Sequence, residues 1–158
     1  MSAMFAAFIA RWTVAGRHPP IVAAADLAGA EMRLQFLTPA AYRDAILAHG
    51  APSTSNALLG AIVDQDLDLN DVQDFFEPAD LVKVTEDWRA LGLPVHLVAF
   101  ASDCAGNLFC FSTKGAGKER QDDSPVWFWN QEFAKARAAA PSFSTWIEGF
   151  CQIPRMRL

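Results

Sequence analysis

Val95-His96-Leu97-Val98-Ala99-Phe100-Ala101, Ser102-Asp103-Cys104-Ala105-Gly106-Asn107 and Leu108-Phe109-Cys110-Phe111-Ser112 follow one another without interruption, and their reading decides the fold. Two apolar, aromatic-rich runs of strand length flank a polar turn that contains glycine, the pattern of a β-hairpin. Val126-Trp127-Phe128-Trp129-Asn130 supplies a third strand after a polar segment from Lys114 to Ser124. That segment reads as a mobile insertion. Ser142 then offers a helix-capping hydroxyl, and Phe143, Trp146, Ile147 and Phe150 recur at helical spacing. The order predicts a three-strand meander closed by a helix.

Upstream of this unit the signals are helical. Met4, Phe5, Phe8, Ile9 and Trp12 lie on one face of an N-terminal amphipathic helix within residues 1–15, ended by Gly16 and Pro19-Pro20. A second helix is expected from Asp26 to Phe36. Thr38-Pro39 reads as an N-cap hydroxyl followed by proline at the first helical position, with Gly50 as the left-handed stop. Ala57 to Val63 reads as a short apolar strand and Val72 to Phe76 as a short helix. Pro78 opens a further helix carrying Leu81, Thr85, Trp88 and Leu91 on one face, stopped by Gly92-Leu93-Pro94. Helices first, a meander next and a helix last predict an α+β fold, a mostly antiparallel sheet with helices packed on one face.

The 158 residues fit one domain, 1–158, without repeats or a dividing linker. A chain of this length buries roughly 70% of its unfolded surface, so it needs no metal or disulfide staple. Five Trp and twelve Phe in a chain that is 52% hydrophobic predict a dense aromatic core. Cys104, Cys110 and Cys151 are an odd set without CxxC spacing, which suits free thiols in a reducing compartment. In the opening Met1–Ala10 run the basic residue, Arg11, follows the apolar stretch instead of preceding it. The run is also shorter than the about 20 residues that span a bilayer. A cytoplasmic protein without a membrane partner is expected.

A net charge of −5 and only a loose Arg155/Arg157 pair argue against nucleic acid as partner. Catalytic and cofactor motifs fail on inspection. Asp64, Asp66 and Asp68 imitate the start of a calcium loop, but its sixth and twelfth positions hold Leu69 and Phe75 where glycine and a bidentate glutamate belong. Gly115-Ala116-Gly117-Lys118 lacks the earlier glycine of a phosphate loop, and Glu119 stands where its magnesium-binding hydroxyl should be. His18, His49 and His96 lack zinc-ligand spacing, and no nucleophile elbow accompanies Asp103-Cys104. No catalytic residue, metal or cofactor is expected.

One polar feature departs from an ordinary surface. Seven of the 18 carboxylates fall between residues 64 and 80, namely Asp64, Asp66, Asp68, Asp71, Asp74, Glu77 and Asp80, with no Lys or Arg among them. Two readings stand side by side: helix caps with solubilising charge, or a negative patch that steers a basic partner.

The order of motifs resembles the SUKH superfamily, the Smi/Knr type of domain found in fungal cell-wall regulators and bacterial immunity proteins. Leu37-Thr38-Pro39-Ala40-Ala41-Tyr42 is similar to that family's Leu-Pro-x-x-Tyr helix entry, with Thr38 inserted, and Ile46-Leu47-Ala48-His49-Gly50 to its end. Val98 to Asp103 and Gly106 to Phe111 resemble its strand–turn–strand. Here Gly106-Asn107 replaces Gly-Asp, and Ser112 stands where an acid is frequent. Val126 to Glu132 and Ser142 to Ile147 resemble its third strand and closing helix, so the likeness covers about residues 31–150. It implies a non-enzymatic domain without cofactor, in bacterial members an immunity protein that neutralises a cognate nuclease or deaminase toxin by stoichiometric binding. The alternative is a regulatory or scaffold domain with a non-toxin partner. On the toxin reading, Asp64, Asp66, Asp68, Asp71 and Asp74 are steering charges for a basic surface. The exposed members among Phe75, Phe76 and Trp127 are then the aromatic anchors.

Overall fold

The computed structural model describes residues 1–115 and 117–155; Ala116 of the Gly115–Lys118 stretch and Arg157 lie outside them. The helices are α1 (Ser2–Trp12), α2 (Ala24–Leu34), α3 (Ala40–His49), α4 (Asn56–Asp64), α5 (Pro78–Arg89) and α6 (Phe143–Cys151). The strands are β1 (Asp74–Phe75), β2 (Leu97–Ser102), β3 (Leu108–Ser112), β4 (Val126–Asn130) and β5 (Lys135–Ala140). They form one antiparallel sheet in the order β1-β2-β3-β4-β5. The expected three-strand meander is its centre, with one strand more on each edge.

Those edge strands correct the sequence reading. Val72 to Phe76 is extended, not helical: Gln73 donates to the Ser102 carbonyl at 2.7 Å, Phe76 to Phe100 at 3.0 Å and Phe75 to Pro52 at 3.0 Å. A helix of five residues nucleates poorly, and the open edge of β2 offers these amides better partners. β5 escapes detection because Lys-Ala-Arg-Ala-Ala-Ala has little strand propensity; its register against β4 holds it. Ala57 to Val63 is helical in α4. The Ser55 hydroxyl accepts from the Ala57 amide at 3.3 Å, and Leu58, Ala61 and Ile62 are buried at i, i+3 and i+4. A short apolar run suits either period, and here the helical face met the core.

The boundaries of the other helices shift for local reasons. α2 begins at Ala24 and ends before Gln35, whose φ is 52°. Thr38 does not cap α3; Pro39 is the cap residue and Ala40 the first helical one. The Ala40 and Ala41 amides donate instead to the carbonyls of Gln121 and Asp122, at 2.8 and 2.9 Å. Gly50 ends α3 with φ 84° and ψ −175°, outside the left-handed helical region. A Cβ there would sit 2.4 Å from the Pro20 carbonyl oxygen, so both the conformation and the close approach require glycine. Leu91 lies past the end of α5 and is exposed.

A bulge in β2 sets the two faces of the sheet. Ala99 pairs with Cys110, yet Ala101, not Phe100, pairs with Phe109. Phe100 and Ala101 therefore both enter the larger core, with Phe109, Phe111, Val126 and Phe128. Phe100 stacks on Phe111 at 4.2 Å between ring centroids, and Tyr42, Phe143 and Trp146 close edge-on around Phe100. α1, α3, α4 and α6 bury their apolar faces in this cluster. α5 crosses the opposite face, where Val84 and Trp88 cover Leu97, Ala99, Leu108, Cys110 and Trp129.

Candidate protein-binding surface

α4 ends at Asp64, and the chain turns back through Asp66, whose φ is 51°. Leu67 returns its amide to the Ile62 carbonyl at 3.0 Å, while the Gln65 side chain donates to Pro154 at 2.9 Å. This anchored turn presents Asp64, Asp66 and Asp68 to solvent, and none of the three has a side-chain partner among the described residues. Asp64 also lines an open cavity of about 470 Å³ between α1 and α4, shared with Arg11 and Arg155. Both arginines are engaged elsewhere, on the carbonyls of Ile153 and Ala10.

The remaining predicted site residues are not part of that trio. Asp71 is buried and accepts from the Cys104 amide at 3.4 Å. Burial raises its carboxyl above the ordinary range and the charge of Asp103 adds to this, while hydrogen bonds from Cys104 oppose it. Asp74 accepts from the Ser53 hydroxyl at 2.6 Å. Both carboxylates hold the chain together and are poorly placed to steer a partner. Phe75 is also corrected: it is 4% exposed and packs on Phe5, Phe8, Phe100 and Trp146. As the single inward residue of β1 it belongs to the core.

Phe76 is half-buried at the margin of both clusters. Trp127 is half-buried on the α5 side of the sheet, opposite Cys110 on β3 and the exposed Ala138 on β5. Like Phe76 it is only half-buried, and of its two strand neighbours Ala138 is exposed while Cys110 is buried. Glu77 and Asp80 also part from the segment: they meet Asp26 of α2 around a groove between α2 and α5. Nothing in linear spacing links Asp26 to them; only the pairing of α2 with α5 does.

The groups that could carry chemistry are held in structural roles. Asp103 orders the β2–β3 turn, accepting from the amides of Ala105 and Asn107 at 2.9 and 2.8 Å and from the Asn107 side chain at 3.0 Å. Cys104 is exposed at the turn, yet partial desolvation and the neighbouring carboxylates of Asp71 and Asp103 push its thiol up to about 11, and full burial pushes Cys110 higher still. Neither is a thiolate nucleophile at neutral pH. His49 pairs with the Ser2 hydroxyl at 2.8 Å. Among the described residues no group of three or more His, Cys, Asp or Glu side chains is placed to hold a metal ion. None of the helices there is long and apolar enough to cross a membrane.

The segment from Lys114 to Ser124, expected to be mobile, is tied down in its second half. Arg120 reaches Glu31 and the Thr38 carbonyl, at 2.6 and 2.7 Å. Asp123 accepts from the Phe143 amide at 2.8 Å and from the Ser144 hydroxyl at 2.6 Å, so it caps α6 alongside Ser142. One short segment therefore satisfies the first turns of both α3 and α6.

The family model described as the SMI1 / KNR4 family (SUKH-1) matches residues 21–149. That span takes in α2 to α5, the whole sheet and most of α6. No curated protein matches the chain.

Proposed function

The chain belongs to the SMI1 / KNR4 family (SUKH-1), and from that membership we propose that it is a non-catalytic protein-binding domain, a cytoplasmic immunity protein that neutralises a cognate toxin of nuclease or deaminase type by stoichiometric binding. The observation that carries this reading is the anchored turn with Asp64, Asp66 and Asp68 exposed and without a side-chain partner among the described residues. Exposed carboxylates of one sign lower the local potential, steer a basic surface and raise its association rate. A nuclease face shaped to hold phosphate is such a surface. On this reading Trp127, half-buried beside the exposed Ala138, is the aromatic anchor, and its ring supplies apolar contact at little entropic cost.

The test is complex formation between the purified chain and the toxin encoded beside its gene. A one-to-one complex is expected that blocks the toxin's activity. Replacing Asp64, Asp66 and Asp68 by asparagine is expected to slow association about tenfold at low salt, with the difference fading at high salt. No complex with that toxin would remove the immunity reading. A regulatory domain with a non-toxin protein partner, as in the fungal branch, would then stand in its place.

A further inference from the structure

α2 and α5 run side by side in the same direction. Arg33, in the last turn of α2, pairs with Glu86 of α5 at 2.9 Å, while the first turns of both helices meet at the other end. Between those first turns lies an open groove of about 630 Å³. Its floor is apolar: Val22 and Ala30 are buried, Val82 is half-buried, and Ile21 stands beside them 91% exposed. Asp26, Glu77 and Asp80 line the same groove, and among the described residues no Lys, Arg or His does.

The plain explanation for acids at this place is compensation of two helix dipoles. It accounts for only part of them. Each helix N-terminus carries about half a positive charge, so the pair offsets about one carboxylate of the three. Neither helix has a side-chain cap hydrogen bond, and none of the three carboxylates has a side-chain partner among the described residues. Lys83 lies within reach of the Asp80 charge but is bonded to Asp87 at 2.6 Å, so the rim keeps a net negative charge. An apolar floor under such a rim fits Lys or Arg side chains, whose stems bury while their heads stay at the rim.

We propose that this groove seats a cationic, aliphatic stretch of a protein partner, with Lys or Arg heads on Asp26, Glu77 and Asp80 and apolar side chains on Val22, Ala30 and Val82. The inference rests on reading the chain as a protein-binding domain. It does not depend on the partner being a toxin, and it places a contact surface apart from the Asp64–Asp68 turn.

The probes are two synthetic peptides, one alternating Leu with Lys and one alternating Leu with Glu, titrated into the isotope-labelled full chain and followed by amide chemical shifts. The Leu/Lys peptide is expected to move the amides of residues 21–30 and 79–83, and the Leu/Glu peptide to leave them in place. The triple variant Asp26→Asn, Glu77→Gln, Asp80→Asn is expected to bind the Leu/Lys peptide at least about tenfold more weakly. Gly29→Leu fills the groove without disturbing the fold, since a Cβ at Gly29 meets nothing within 4 Å and the helix gains propensity. That variant is expected to abolish the shifts. Shifts confined to residues 64–68, equal shifts with the Leu/Glu peptide, unchanged binding by Gly29→Leu, or no shift at roughly 1 mM peptide would each overturn the proposal. The complex with the neighbouring toxin is a separate measurement, so either reading can fail while the other stands.

Discussion

The hydroxyl of Thr85, in the middle of α5, accepts the amide hydrogen of Ala99 at 3.0 Å, where β2 departs from its register with β3. Thr85 is fully buried, and Ala99 lies on the face that α5 covers. The contact fixes where α5 sits on the sheet at the residue just before the bulge. Thr85→Val keeps the shape and removes the acceptor, which leaves a buried amide without a partner. We expect a loss of about 1–3 kcal/mol, seen as a lower urea midpoint with an unchanged slope, and recovery of most of it by Thr85→Ser. A valine variant as stable as the wild type would show that the amide finds another partner.

Glu31 joins three parts of the chain. Its carboxylate accepts from the Thr38 amide and hydroxyl, both at 2.7 Å, and from two nitrogens of Arg120 at 2.6 and 3.1 Å. Burial alone would raise this carboxyl, but Arg120 and Thr38 together outweigh it and hold the carboxyl below its ordinary value of 4.5. The folded value is thus depressed, so the stabilisation is fully present above pH 4.5 and is lost as pH falls through the lower folded value. Glu31→Gln is expected to cost about 2–3 kcal/mol at pH 7, less than for a fully enclosed pair because Arg120 is partly exposed. The gap to the wild type should close on acidification. A gap that is constant between pH 7 and pH 3 would refute the ionic part.

The fold was legible where the pattern had one reading. Leu97 to Ser112 could only be a hairpin, and Ser142 with Phe143, Trp146 and Phe150 only a capped helix, because period and cap agreed. It was illegible where tertiary partners decided. Asp74 and Phe75 became a strand because Ser102 and Ala101 lay open beside them, and Lys135 to Ala140 because β4 did. The same holds for the surface. Asp64, Asp66 and Asp68 were visible as a charge run, whereas the roles of Asp71 and Asp74 depend on Cys104 and Ser53, far away in sequence. The grouping of Asp26 with Glu77 and Asp80 needs the α2–α5 pairing, which no local signal encodes.

Phe75 and Trp127 separate core from surface. Phe75→Ala opens a cavity among Phe5, Phe8, Phe100 and Trp146 and is expected to cost about 3–5 kcal/mol. Trp127→Ala removes a half-buried ring whose strand neighbours include the exposed Ala138. It should cost less than half as much and weaken partner binding in a chain that still folds. Thermal unfolding of the two variants side by side gives the comparison. Equal losses would place Trp127 in the core and take it off the binding surface.

Asp71 makes the opposite case to Glu31. Its carboxyl is buried beside the charge of Asp103, and the hydrogen bonds from Cys104 do not fully offset that burial, so the folded value is raised above the ordinary 3.8. The folded state therefore holds its proton more tightly than the unfolded state does. Stability falls as pH rises from 3.8 through the raised folded value, and at neutral pH the buried charge is a net cost. Asp71→Asn keeps an oxygen that can accept from the Cys104 amide and removes the charge. The variant is expected to be more stable than the wild type at pH 7 and no more stable at pH 3.5, by urea midpoints at the two values. An asparagine variant less stable at pH 7 would mean that the ionised carboxylate is what holds the β2–β3 turn against the 64–73 segment.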